Sequence, residues 1–148
     1  AFTLQLVDTP LPVLDGLLSA LNPGGVLYLS LFVPHAELEG EQAAGEWHRD
    51  REISLEDGSK ATVETRYQIA PEIRRLQREH HYRLLNQEDE VVEEHRCKET
   101  IGWFEPHEVL AHLEERGCEI LEAIPDFDPG SETSLDEATV FTIVAQRA

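Results

Sequence analysis

Leucines recur at three- and four-residue steps near the start of the chain, at positions 11, 14, 17, 18 and 21. This spacing predicts an amphipathic helix over residues 10–21. Pro23 and the glycine pair Gly24-Gly25 predict the end of that helix and a tight turn. Residues 26–32 are apolar without interruption, which is typical of a parallel strand buried on both faces.

The apolar period changes to two after a polar segment. Residues 36–46, rich in Glu, Ala and Gly, are predicted as a loop or a short helix. Alternating positions then predict strands over residues 47–55, 62–69, 73–85 and 91–104. Asp57-Gly58 carries the sequence signature of a hairpin turn. We therefore predict a four-stranded antiparallel meander with one polar face.

The last part of the chain returns to the first pattern. Pro106 begins a predicted helix, its apolar positions are Val109, Leu110 and Leu113, and Gly117 caps it. Apolar runs at residues 118–124 and 138–145 predict two more strands.

Composition excludes several function classes. The 148 residues carry 12 basic and 30 acidic side chains, a formal charge of −18, with only two lysines, Lys60 and Lys98. Such a chain lacks the basic surface that releases counterions from nucleic acid, so no nucleic-acid partner is expected. The longest apolar run is far shorter than the ~20 residues that cross a bilayer, so no membrane partner is expected. Cys97 and Cys118 have neither disulfide-framework nor zinc spacing, which favours a reducing cytoplasm.

Four segments of the chain resemble parts of the C-terminal half of a class I S-adenosylmethionine-dependent methyltransferase. The turn in residues 21–29, Leu-Asn-Pro-Gly-Gly-Val-Leu-Tyr-Leu, is similar to the turn before the family's fifth strand. Residues 103–120, with their helix ending in Arg-Gly-Cys, resemble the family's last helix. Residues 139–147 are similar to its final antiparallel strand, and residues 1–6 to the segment that leaves its fourth strand.

The resemblance implies an α/β fold: the last strands of a partial Rossmann-like methyltransferase sheet, with the antiparallel meander inserted. Residues 1–46 and 105–148 would form the C-terminal half of the core, and residues 47–104 the insert, which in one branch of the family covers the substrate pocket. The implied cofactor is S-adenosylmethionine and the implied substrate a small molecule.

This chain departs from the family in one large respect. The glycine-rich loop and the acidic residue that hold the cofactor belong to the family's first half, and neither is found here. No cofactor-binding residue is therefore assigned, and the chain by itself is expected to be inactive. It would be an enzyme only when completed by the missing N-terminal half.

Candidate pocket residues come first from the implied carboxyl end of the fifth strand. The resemblance places Thr3, Gln5 and Phe32 there as substrate contacts. His35 is the titratable group at this strand end, where doubly wound sheets place ligands, and it is the candidate catalytic base. A solvent-facing loop histidine is the alternative.

The meander supplies a second set. Its candidate contacts for a substrate carboxylate are Arg66, Tyr67, Tyr82 and Arg96, with cross-strand ion pairs as the alternative for the arginines. His80 and His81 must point to opposite faces and cannot share a metal ion, and a pairing of His81 with His95 lacks a third ligand. No metal is predicted. The tryptophans that flank the meander, at positions 47 and 103, are interpreted as core anchors.

Two other functions stay open. The chain could be a non-catalytic oligomerisation or small-ligand-binding module that retains the methyltransferase scaffold, or a standalone β-rich binder whose meander closes its own pocket. A fifth strand without its usual neighbour would present a bare edge. We therefore expect self-association, as a dimer for example, or pairing with the missing N-terminal half.

Overall fold

The computed structural model describes residues 2–148. The helices are α1 (Pro10–Ala20), α2 (His35–Glu39) and α3 (Pro106–Glu115), and the strands are β1 (Val26–Phe32), β2 (His48–Ser54), β3 (Lys60–Ala70), β4 (Arg75–Leu85), β5 (Val91–Gly102), β6 (Cys118–Pro125) and β7 (Val140–Arg147). All the predicted helices and strands are present. Two short 3₁₀ turns, Thr3–Leu6 and Pro71–Ile73, are also present.

The strands form two sheets. The first has the order β1-β7-β6, and β7 runs antiparallel to both of its neighbours. The second has the order β2-β3-β4-β5 and is the predicted antiparallel meander. The predicted fold class, a partial α/β sheet with an inserted four-stranded meander, is confirmed.

The environment predicted for β1 is wrong in the described chain. β1 lies at the edge of its sheet and pairs with the antiparallel β7. Val26 and Tyr28 face solvent, and Tyr28 is 62% exposed. The apolar run suggested burial on both faces because both sets of alternating positions are apolar. In the structure, the buried apolar side chains of β1 are Leu29 and Leu31, which lie on one face.

The chain divides into two compact units. The meander unit is Ala36–Ile101, and the helical unit consists of the described residues up to His35 together with Gly102–Ala148. The sequence placed the insert at residues 47–104, whereas the compact meander unit begins at Ala36 and ends at Ile101.

The core of the helical unit lies between its helices and one face of its sheet. Its most deeply buried side chains are Leu14 on α1, Val109 and Leu113 on α3, and Leu31, Phe141 and Ile143 on the strands. Burial of apolar area of this kind is the main favourable term in folding. α3 begins with a capping box, in which the Glu105 backbone N–H donates to the Glu108 carboxylate (3.0 Å).

An ion cluster ties α1 to α3 within this unit. The Asp15 carboxylate accepts hydrogen bonds from Nε and Nη2 of Arg116 (2.9 and 3.0 Å) and lies 2.8 Å from Nε2 of His112. The Arg116 hydrogen bond is the main reason that the pKa of Asp15 lies below its usual range. Arg147 contacts the C-terminal end of α1, where its guanidinium donates to the carbonyl oxygens of Leu18 and Ser19 (3.1 and 2.9 Å).

The meander unit has one polar face, as predicted. Alternation along β3 places Thr62, Glu64, Arg66 and Gln68 on that face, and register pairs Arg66 with Glu79 and Gln68 with Gln77 of β4. The opposite face carries the buried Tyr67 and Leu76. The two faces therefore offer different chemistry to a ligand.

Candidate functional site

The end of β1 is organised by the Gln5 side chain, which is 1% exposed. Its Nε2 donates to the carbonyl oxygens of Phe32 (2.8 Å) and Gly102 (2.9 Å), and its Oε1 accepts from the Phe32 N–H (2.7 Å). These bonds use both amide hydrogens. Only the second lone pair of Oε1 remains for the predicted substrate contact, so the structure gives Gln5 a positioning role at this strand end.

Gln5 takes the place of a neighbouring strand at one position of the free edge of β1. The odd-numbered residues of β1 direct their backbone N–H and C=O groups to β7. This follows from the Val33 N–H just beyond the strand, which donates to the Thr139 carbonyl oxygen (2.9 Å). The even-numbered residues therefore direct their backbone groups to the free edge. At Phe32 the carboxamide satisfies both of them.

The other two predicted contacts lie beside Gln5. Thr3 is exposed and belongs to the same 3₁₀ turn. Phe32 is half-buried, and its ring centroid lies 6.0 Å from that of Phe2. The structure thus brings Gln5 and Phe32 into direct contact, with Thr3 two residues away on the surface.

His35 follows the buried Pro34 directly after the end of β1. The ring is half-buried, and its Nε2 is shielded from solvent with no hydrogen-bond partner among residues 2–148. A buried ring nitrogen without a partner is costly unless another group binds it. Only Nε2 of His35 is known to be shielded, so the roles predicted for this residue, catalytic base or solvent-facing histidine, both stay predictions.

The four predicted contacts of the meander divide between its two faces. Arg66 and Tyr67 are neighbours on β3, so their side chains point to opposite faces. The charge of Arg96 lowers the pKa of Glu79, which is the cross-strand partner of Arg66. Tyr82 interacts with Cys97, the residue after Arg96. The structure groups Arg66 with Arg96, and Tyr67 with Tyr82. The four do not face one common ligand.

On the tyrosine face, one hydroxyl has a backbone partner and the other has a thiol as its neighbour. The Tyr67 hydroxyl donates to the Gln42 carbonyl oxygen (2.5 Å). Tyr82 is exposed, and its ring centroid lies 6.1 Å from that of His80 and 6.3 Å from that of His95. Partial burial is the first cause of the raised pKa of Tyr82, followed by the Cys97 thiol.

On the polar face, Arg66 is held from two sides. Its Nε and Nη2 donate to Oε2 of Glu79 (2.9 and 2.6 Å), and its guanidinium carbon lies 4.8 Å from the centre of the Trp47 ring. Lys98 Nζ is 3.8 Å from the same carboxylate. The hydrogen bond from Arg66 is the main cause that lowers the pKa of Glu79. Trp103 is buried as predicted, but the interpretation of Trp47 as a core anchor is wrong, since it packs on Arg66 at the surface.

A cavity of about 370 Å³ opens on this polar face. Its lining includes Arg66 and Gln68 of β3, Gln77 and Glu79 of β4, and Lys98 and Thr100 of β5. We call the space that these six residues line the polar cavity. The sequence had singled out only Arg66; the alternation along β3 also placed Gln68 on this face, but the β4 and β5 members depend on strand register.

The histidines of the meander lie as their spacing requires. His80 contacts Thr65 Oγ1 (2.8 Å) and Glu99 (3.3 Å), whereas His81 contacts Glu94 (2.8 Å) on the other face. His95 lies beside Tyr82, so the suggested pairing of His81 with His95 is wrong. Residues 2–148 contain no group of three or more His, Cys, Asp or Glu side chains arranged to hold a metal.

The residues present do not fit S-adenosylmethionine, the cofactor that the resemblance implies. A strand, a glycine-rich loop and a helix in succession form the usual cradle. Among residues 2–148, Gly24 and Gly25 instead lie between α1 and β1, and Gly102, the last residue of β5, is a single glycine before α3. No residue of the described chain is therefore assigned to this cofactor.

Within residues 2–148, no helix combines the length and the apolar character needed to span a membrane.

No family model and no curated protein matches this sequence. Solved structures do match its fold. An S-adenosylmethionine-dependent methyltransferase from Clostridium acetobutylicum aligns with a TM-score of 0.73 and 7% identity over 99% of this chain and 55% of its own. An amino pentose methyltransferase from Micromonospora echinaspora, solved with S-adenosylmethionine bound, aligns at 0.68 and 18% identity over 100% of this chain and 56% of its own.

A sugar N-methyltransferase from Streptoalloteichus aligns at 0.63 and 19% identity over 99% of this chain and 53% of its own. This chain thus spans about half the length of these solved enzymes. The chain has the fold of part of an S-adenosylmethionine-dependent methyltransferase, as its sequence predicted.

Proposed function

We propose that this chain is the C-terminal part of an S-adenosylmethionine-dependent methyltransferase that acts on a small molecule, and that it does not transfer methyl groups by itself. The observation that carries the proposal is the sheet order β1-β7-β6 with β7 antiparallel, in a chain that aligns along 99–100% of its length with about half of a methyltransferase. Among residues 2–148, no strand, glycine-rich loop and helix follow one another, which supports the second half of the proposal.

The residues at the end of β1 would serve the methyl acceptor. His35 is proposed as the base that removes a proton from it, because its Nε2 is buried and has no partner among the described residues. Thr3 and Phe32 are proposed as contacts of the acceptor. Gln5 would hold this strand end in place, with one lone pair left for the acceptor.

In the meander, Arg66 and Arg96 remain proposed contacts for a substrate carboxylate, and Tyr67 and Tyr82 remain proposed contacts on the other face. Amino sugars are the first acceptors to test, since two of the matched enzymes are named for an amino pentose and for a sugar nitrogen. A cytoplasmic location is part of the proposal, because Cys97 and Cys118 are free thiols.

Calorimetry tests the proposal. S-adenosylmethionine and its demethylated product are titrated into the 148-residue chain, and into the same chain extended by the coding sequence that precedes it. Binding by the extended chain alone, with methyl transfer to an amino sugar, is the expected result. Micromolar binding by the 148-residue chain would contradict the incomplete cofactor site. If neither form binds, the non-catalytic oligomerisation or ligand-binding module is the better interpretation.

We also propose that the free edge of β1 pairs with another chain segment, either the missing N-terminal half or a second copy. The even-numbered positions of β1 direct backbone N–H and C=O groups to that edge, and Val26 and Tyr28 are exposed there. Leu11 and Leu17 of α1 are exposed as well. Unpaired edges and exposed apolar side chains of this kind favour association.

Light scattering on the 148-residue chain tests this pairing. We expect a dimer or larger species, which Tyr28→Lys converts to monomer because a charged side chain at an edge strand opposes pairing. Ile73→Lys, at an exposed apolar position in the meander unit, is the matched control and should leave the mass unchanged. A monodisperse monomer in the unsubstituted chain would overturn the expectation of self-association.

A further inference from the structure

The polar cavity brings an excess of positive charge to one carboxylate. Arg66, Lys98 and Arg96 all act on Glu79, and each lowers its pKa. Glu99 also lines the cavity, but its carboxylate accepts from His80 and faces the opposite side of the sheet. Arg66 and Lys98 line the cavity together with this carboxylate, whereas Arg96 lies outside the lining; the whole chain has only 12 basic residues against 30 acidic ones.

Part of Arg66 remains available to a ligand. Nε and Nη2 are used on Glu79, whereas Nη1 donates to no other group among residues 2–148. The contacts with Glu79 and Trp47 fix the guanidinium plane before any ligand arrives. A donor that is already oriented loses little conformational entropy when it binds an anion.

The rest of the cavity adds uncharged donors and an accessible ammonium group. Gln68, Gln77 and Thr100 are exposed, and their side chains form no hydrogen bond with other residues of the described chain. The Lys98 side chain is 77% exposed, and its nearest carboxylate oxygen is 3.8 Å away. Amides, a hydroxyl and an ammonium group together favour an oxygen-rich ligand.

We propose that the polar cavity binds a small hydrophilic anion, with its carboxylate or phosphate group held by Lys98 and Arg66 and its remaining oxygen atoms by the Gln68 and Gln77 amides. The volume of about 370 Å³ suits a small molecule. The site lies wholly within the meander unit, and it does not depend on the chain being a methyltransferase.

NMR titration of the 148-residue chain with inorganic phosphate and, separately, with succinate tests the site. Sodium chloride keeps the ionic strength constant, and the side-chain amide signals of Gln68 and Gln77 report binding. We expect saturable shifts for at least one anion, with a millimolar Kd. Phosphate alone would identify a phosphate-bearing ligand, and succinate alone a carboxylate.

The two lysines of the chain provide a matched pair of variants. Lys98→Gln should raise the Kd about tenfold, the loss expected when a charge-assisted hydrogen bond is removed. Lys60→Gln removes the same charge from the same unit at the Asp89 ion pair, and should change the Kd less than about twofold by the same scale. Shifts that do not saturate, or equal weakening by both substitutions, would overturn the proposal, because general electrostatics would then explain the response.

Discussion

Removal of the Gln5 carboxamide should destabilise the helical unit far more than its place in a short 3₁₀ turn suggests. Gln5→Ala removes three hydrogen bonds, two to Phe32 and one to Gly102. Each is worth about 1 kcal/mol net, so the expected loss is about 3 kcal/mol. For a chain of this size that corresponds to a decrease in Tm of roughly 6–12 °C.

The two tryptophans allow the effect to be assigned to one unit. Trp103 is 4% exposed in the helical unit, and Trp47 lies in the meander unit. In a Trp47→Phe background, the fluorescence of Trp103 therefore reports unfolding of the helical unit. Thr3→Ala, at an exposed position of the same 3₁₀ turn in the same unit, is the control and should change stability by less than about 0.5 kcal/mol.

A charged variant tests the same geometry through pH. Gln5→Glu places a carboxyl group where Nε2 faces the carbonyl oxygens of Phe32 and Gly102. Burial and these oxygens should raise the pKa of the introduced carboxyl above its unfolded value, so the variant becomes more stable as the pH falls and the group gains a proton. A Tm for Gln5→Ala within 2 °C of the parent, or a Gln5→Glu variant whose stability relative to the parent does not change with pH, would refute the role given to Gln5.

Two further predictions concern α1 and its ends. Because the pKa of Asp15 is depressed, the stabilisation by its ion cluster is present above the unfolded pKa and is lost as the pH falls through the folded pKa. Circular dichroism should therefore show that Asp15→Asn lowers the Tm at pH 7 and differs little from the parent at pH 2. Gly24 has φ +79° and Gly16 has open space around its Cβ position. Urea denaturation should therefore show that Gly24→Ala costs about 1–2 kcal/mol and Gly16→Ala gains up to about 1 kcal/mol; equal effects would contradict the turn geometry.

The sequence predicts secondary structure well because the signals are local. The alternation of residues 62–69 and the proline and glycine positions at both ends of α1 depend on near neighbours along the chain. The partners of Gln5 lie 27 and 97 residues away, so no local pattern could have indicated its role. The Trp47 environment likewise depends on Arg66 across the sheet.

Candidate ligand residues were harder to predict than strands. Periodicity placed Arg66 and Gln68 on one face of β3, which the structure confirms. Periodicity could not predict that Gln77 lies beside Gln68. The turn before β4 includes Arg74 at φ +50°, and the register between β3 and β4 is set by tertiary pairing. Arg66 and Tyr67 were grouped by residue type, although strand geometry separates them.

The topology of the helical unit gives a reason to expect that this part of the chain keeps its fold. β7 pairs with a neighbour on each side, and both pairings are antiparallel, which satisfies its backbone groups without a parallel strand. Phe141 and Ile143 of this strand are fully buried with Leu113 of α3. The core therefore forms around β7 rather than around the free edge of β1. If the chain fails to bind S-adenosylmethionine while its circular dichroism spectrum is that of a folded protein, unfolding is not the cause. The lack of a strand, glycine-rich loop and helix in succession among residues 2–148 would then explain the failure.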